Sequence, residues 1–286
     1  MNYENLVFQG GGIKGFIYSG VIKALNDMDK SIKFKRTIGT SVGSMCAFIF
    51  ALRPTNEELN KYMNLVINKI LKLNDSFISE AYNFLHYYGI HDNECICDLI
   101  EEIELDKFGK NGLTFLDLFN LTNMELTIVG TCLSERKIYY FNYLNSPNML
   151  VSTAIKISSA LPGFYKSVTF DNKIWCDGGV CNNFPINYYD DKTTLGLMLM
   201  CDDDLPVMHT IDSEKQFFQD VVATSMSYQI NFAIGKTPKN IITLNTGNIS
   251  TTDFKISKKE IDLLINQGYD DTVEYFNINT SWFKFW

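Results

Sequence analysis

"ENLVFQGGGIKGFIYSGVIKAL", residues 4–25, decides how the rest of the chain is read. Leu6, Val7 and Phe8 form a short apolar run closed by glycines, the pattern of a buried strand. Phe16, Ile17, Gly20, Val21, Ala24, Leu25 and Met28 recur at helical spacing, as expected of a helix packed on a sheet. The stretch is therefore strand, glycine turn, helix. Residues 4–10 also resemble a protease site used to remove purification tags, with Val7 where that site has Tyr. Their direct run into a turn and an amphipathic helix marks them as native.

The same grammar recurs along the chain. "FKRTIGTSVGSMCAFIFAL" (34–52) reads as a strand, a turn at Gly39–Gly43 and an apolar helix. Pro54, Thr55, Glu57 and Glu58 open another helix, and residues 55–120 are mostly helical and more polar. "LTIVGTCL" (126–133) and "KIYYFNY" (137–143) are β-branched and aromatic, hence strands. "NKIWCDGG" (172–179) ends a strand in a turn, and "TLGLMLMC" (194–201) is a further buried strand. A long helix is expected over 213–234 and a late strand at "KNIITLNT" (239–246). Strands alternating with helices predict a largely parallel sheet with helices on both faces.

Composition bounds the function. Hydrophobic residues are 46% of the 286, enough for a sizeable core. A net charge of −8 excludes a general nucleic-acid binder, which needs a basic footprint. The longest apolar stretch, 45–52, is too short to cross a bilayer. No basic leader with an apolar core and cleavage site is seen, so a cytoplasmic protein, at most peripheral to membranes, is expected. The seven cysteines are scattered, odd in number and without a CxxC pair, which suits buried thiols in a reducing compartment.

Three glycine-bearing motifs carry the chemistry. Gly10, Gly12 and Gly15 fit G-x-G-x-x-G between a strand and a helix, the spacing of a dinucleotide-binding turn. That reading wants an acidic residue about twenty positions on. "IKFKRTIG" (32–39) is basic there, which suits only a phosphorylated dinucleotide. The same glycines also read as a purely structural turn, or as an anion hole whose consecutive amides face negative charge. Gly39-Thr40-Ser41-Val42-Gly43 fits G-x-S-x-G, in which a nucleophilic Ser sits on a strained strand-to-helix turn and small neighbours let the chains approach. Alternatively Ser41 only caps the helix. Asp177-Gly178-Gly179 follows a strand; such an Asp is often a turn former, but a Ser nucleophile needs a base fixed at the same sheet edge.

Taken together, and in this order, the three motifs make the chain resemble the patatin-like phospholipases. That family carries G-G-G-x-[KR]-G near its start, then G-x-S-x-G, then D-G-[GA]. The likeness continues through "LTFLDLFNLTNMELTIVGTCL" (113–133), "AIKISSALPGFYKSVTF" (154–170), "DGGVCNNFPI" (177–186) and "STTDFKISKKEIDLLINQGYD" (250–270). Gln9 departs from the Asp or Ser of many members, with little effect expected. The resemblance implies a single patatin-like domain over 1–286, a three-layer α/β/α sandwich with a mostly parallel central sheet. Since a long acyl chain needs an apolar groove, helices within 55–120 are expected to cover the site. The resemblance also implies a lipid acyl hydrolase with Ser41 as nucleophile and Asp177 as its direct partner. Amides at Gly11 and Gly12 would form the oxyanion hole, with no metal or other cofactor. The substrate would be a phospholipid or other acyl lipid met at a membrane surface.

Other residues compete for a role. His91, Glu94, Cys95 and Cys97 cluster like metal ligands but match no usual zinc spacing. Asp202, Asp203 and Asp204 could hold a hard cation but read as a solvated loop. Lys14 could meet a lipid phosphate or a surface carboxylate. The aromatic tail "SWFKFW" (281–286) has an interfacial character but is expected to pack on the fold. An α/β-hydrolase triad of Ser41, Asp177 and His209 is allowed by chain order. His209 lies in a polar stretch without a glycine turn, and His86 and His91 precede the acid.

Overall fold

The computed structural model describes residues 3–28, 33–73, 93–201, 210–235, 240–249 and 256–281. One mixed sheet organises it. The central strands are β1 (Asn5–Phe8), β2 (Arg36–Gly39) and β3 (Glu125–Cys132), with β7 (Thr194–Met200) and β8 (Asn240–Asn245) beyond β1. These five run parallel where they pair with one another. Strand β4 (Lys137–Phe141) pairs antiparallel with the opposite edge of β3, while antiparallel β6 (Lys173–Asp177), with β5 (Val168–Phe170) beyond it, pairs with β3 residues 130–132, past the part that pairs with β2. The strand order is β5-β6-β3-β2-β1-β7-β8, with β4 paired to β3.

The faces of the sheet are unequally covered. Leu6 and Phe8 of β1 point into the larger core, Val7 into the smaller, as strand alternation requires. The larger core is closed by α1 (Ile17–Asp27), α2 (Val42–Ala51), α3 (Asn56–Leu73), α4 (Glu94–Phe108), α5 (Phe115–Thr122), α6 (Val151–Ser158) and α9 (Lys258–Ser281). The smaller is closed by Phe184 and Ile186, which follow the short helix α7 (Gly179–Asn182), and by the end of α8 (Glu214–Ile234). The result is a three-layer α/β/α sandwich with one thin layer.

Helix α2 follows the sequence logic most closely. It is apolar on nearly every side, and Ala47, Phe48, Ile49 and Ala51 are all buried. A helix without a polar face must lie inside, and each large side chain buried there contributes roughly 1.5–3 kcal/mol. That burial fixes the start of α2, and with it Ser41, against the sheet. Of the 55–120 segment, α3, α4 and α5 are helical as expected, while residues 74–92 lie outside the described residues. No described helix is long and apolar enough to cross a membrane.

Candidate active site

Register explains how three distant motifs meet. Gly39, the last residue of β2, pairs with Ile128 of β3. Strand β3 continues past that point, and Gly130 pairs with Asp177 at the end of antiparallel β6. Asp177 therefore arrives level with the turn beyond Gly39, although its strand runs the opposite way. The glycine loop reaches the same edge from β1, whose Phe8 pairs with Gly39.

Ser41 sits on the turn with φ 54° and ψ −130°, a left-handed conformation that costs a non-glycine residue on the order of 1–3 kcal/mol. The surroundings hold it there. Its N–H donates to Ser158 Oγ at 2.9 Å, and its carbonyl accepts from Ser44 N–H at 2.8 Å and Ser44 Oγ at 2.6 Å. Gly39 lets the turn close: a Cβ there would lie 2.1 Å from the Gly43 carbonyl oxygen. The Ser41 side chain makes no capping bond to α2, so the capping reading is corrected. The hydroxyl stands instead at the positive end of that helix, where negative charge is favoured.

Asp177 is fully buried. Its N–H donates to Ala160 O at 2.9 Å, and its Oδ1 accepts from Gly179 N–H at 2.7 Å. Burial pushes the carboxyl up to about 7, opposed by hydrogen bonding from Ser41 and from the Gly179 amide. The Ser41 hydroxyl is thus near enough to stabilise the carboxylate, yet it closes no well-aligned bond: Oδ2 is buried without a hydrogen-bond partner. Loosely aligned pairs of this kind are common before substrate binds.

In the glycine loop, Gly10 donates its N–H to Asn183 O at 3.0 Å. The N–H groups of Gly11 and Gly12 find no acceptor among the described residues. Gly12 has φ 54° and opens the 3-10 turn Gly12–Phe16 that leads into α1. Gly15 rests on α2, its carbonyl accepting from the Cys46 thiol at 3.7 Å. Lys14 beside it is half-buried and makes no ion pair among the described residues. Gln9 anchors the root of the loop. Its Oε1 accepts from Leu199 N–H at 3.1 Å, tying the chain to β7, while Tyr18 OH donates to its carbonyl at 2.7 Å.

Two further residues of the site carry no signal in the sequence. Ser158 holds the Ser41 amide through its hydroxyl, and its carbonyl accepts from Gly178 N–H at 3.3 Å, so one residue braces both motifs. Asn183 binds the glycine loop. Both lie in segments of family likeness, but Ser and Asn bonded to backbone leave no spacing pattern.

The competing residues find other places. Glu94 pairs with Lys156, and the Cys97 thiol donates to Ser152 O at 3.7 Å, joining α4 to α6. Among the described residues no three His, Cys, Asp or Glu are placed to hold a metal ion, and all seven cysteines are free thiols. His86, His91, His209, Asp202, Asp203, Asp204 and all of the aromatic tail beyond Ser281 lie outside the described residues. The dinucleotide reading needs a carboxylate near the end of β2, where Gly39, Thr40 and Ser41 stand.

Known proteins share this architecture. The family model of the patatin-like phospholipases matches residues 6–189. The uncharacterized protein R571 of Acanthamoeba polyphaga mimivirus is 26% identical over 276 residues, covering 93% of this chain and 91% of that one. The probable lipid hydrolase 463L of Invertebrate iridescent virus 6 is 29% identical over 189 residues, covering 65% of this chain and 62% of that one. Among solved structures, VipD from Legionella pneumophila superposes with a TM-score of 0.63 at 16% identity, over 97% of this chain and 67% of that one. That likeness is one of fold.

Proposed function

The chain belongs to the patatin-like phospholipase family, a family of lipid hydrolases and lipases, and on that premise we propose that it is a serine-dependent lipid acyl hydrolase of phospholipase A type. The observation that carries the reading is the strained Ser41 turn meeting the buried Asp177 at one sheet edge. In the reaction, the Asp177 carboxylate takes the proton as Ser41 Oγ attacks the acyl carbonyl. The N–H groups of Gly11 and Gly12, which have no acceptor among the described residues, hold the oxyanion. The tetrahedral intermediate collapses, the C–O bond breaks, and protonated Asp177 returns its proton to the departing alcohol. Water, deprotonated by Asp177, then attacks the acyl-serine and releases the fatty acid and free Ser41. No step calls on a metal, a cofactor or His209.

Lipid access belongs to the same proposal. Helix α8 lies over the Asp177 turn, with Gln229 Nε2 donating to Val180 O at 2.7 Å, and it exposes Phe217, Val221, Tyr228 and Phe232. Segment 55–120 supplies α4, which packs on α6, the helix that ends at Ser158. These elements would wall an acyl groove facing a lipid surface, with Lys14 beside its anionic headgroup.

The test is fatty-acid release from mixed phospholipid and neutral-lipid vesicles, followed by mass spectrometry. Wild-type protein should release fatty acid with chelator present, and Ser41→Ala should reduce release by at least about a thousandfold. Full activity in Ser41→Ala would end the reading.

A further inference from the structure

Asn183 caps the C-terminus of α7, six residues after Asp177, and is buried at 6% exposure. It grips one residue of the glycine loop at both of its polar groups. Its carbonyl accepts from Gly10 N–H at 3.0 Å, and its Nδ2 donates to Gly10 O at 3.2 Å. The side chain is wedged tightly: a Cβ on Gly10 would lie 2.3 Å from Oδ1, and one on Gly179 would lie 2.8 Å from it. The same helix is held to the nucleophile turn, since Thr40 Oγ1 donates to Asn182 O at 2.9 Å.

The amide is retained at some cost. Its Oδ1 is buried without a hydrogen-bond partner, an arrangement that native structures generally avoid. An apolar side chain of the same shape would remove that unsatisfied acceptor but would also remove the donor to Gly10 O. The donor is therefore the feature that the position needs. With both polar groups of Gly10 fixed, the amides of the next two residues are left without an acceptor among the described residues. Gly11 and Gly12 are those residues.

We propose that Asn183 is a positioning residue for oxyanion stabilisation, locking the glycine loop to the helix that begins at the Asp177 turn so that the Gly11 and Gly12 amides stay aimed at the reacting carbonyl. The inference rests on the acyl-hydrolase reading above. It assigns Asn183 no contact with substrate. Its effect belongs to the transition state, because the loop amides bind charge that the ground-state ester lacks.

The test uses the full chain with Asn183→Ala and Asn183→Leu, the latter keeping the shape without the donor. Each is assayed with a short-chain ester and with a trifluoromethyl ketone of matching acyl chain, which forms a tetrahedral adduct. Expected are a kcat lower by about ten- to a hundredfold, KM within about threefold, an unmoved pH midpoint, and affinity for the ketone reduced by the same factor as kcat. Unchanged kcat in a folded variant would overturn the proposal, as would a kcat loss without weaker ketone binding. A shifted pH midpoint would place the effect on Asp177 instead, and failure of both variants to fold would make Asn183 structural. Absence of Ser41-dependent turnover in wild-type protein would defeat the hydrolase reading itself, whereas Ser41-dependent turnover indifferent to Asn183 defeats only the clamp.

Discussion

Asp177 and Glu104 are both fully buried carboxyls, and desolvation pushes both up to about 7. Perturbation alone therefore does not mark the base. Glu104 Oε2 accepts from Leu113 N–H at 3.1 Å and serves the loop after α4, whereas Asp177 faces Ser41. A raised carboxyl pKa has two consequences of opposite sign. The proposed base works as carboxylate, so kcat/KM should climb about tenfold per pH unit below 7 and level off above it. Folding, by contrast, gains from each group holding its proton: that stability is fully present below the unfolded value near ~4 and is lost as pH rises through about 7. Activity should thus rise while melting temperature falls between about pH 5 and 8. A rate profile flat across that range would remove Asp177 as the titrating base. At this scale Ser41 and Asp177 are legible in the sequence because flanking glycines announce them. Ser158, Asn183 and Gln9 are not, because each acts through a backbone partner far away in sequence.

Among the elements, α8 has the least expected character. Its existence is readable from 213–234, but its exposure is not, since an apolar helix is ordinarily buried. Residues 221–235 hold no charge, and Phe217, Val221, Tyr228 and Phe232 fall at spacings that place them on one face. Tyr228 is 72% exposed, and Phe217 and Phe232 are each more than half exposed. If this face meets lipid, the double change Phe217→Ser and Phe232→Ser should lower turnover on phosphatidylcholine vesicles about tenfold or more, since burying each ring is worth roughly 1.5–3 kcal/mol. Hydrolysis of a water-soluble ester should be unaffected. Equal losses on both substrates would show that the face supports the fold rather than the interface.

The whole molecule shows where sequence pattern stops. The parallel half of the sheet is readable because buried strands alternate with amphipathic helices. The antiparallel edge is not: β5 has three residues, and periodicity does not report strand direction. Yet that edge matters most for the site, because antiparallel β6 meets the overhang of β3 and so delivers Asp177 beside Ser41. The sandwich thus brings Ser41, Asp177 and the Gly11 and Gly12 amides, the proposed nucleophile, base and oxyanion donors, to one sheet edge from strands far apart in the chain. The central claim, that Ser41 is the activated nucleophile of this assembly, is tested most directly by exposing folded protein to a fluorophosphonate and mapping the adduct by peptide mass spectrometry. One adduct on the peptide carrying Ser41, formed much more slowly in Asp177→Asn, is the predicted result; an adduct on a different serine, or none in folded wild-type protein, would contradict it.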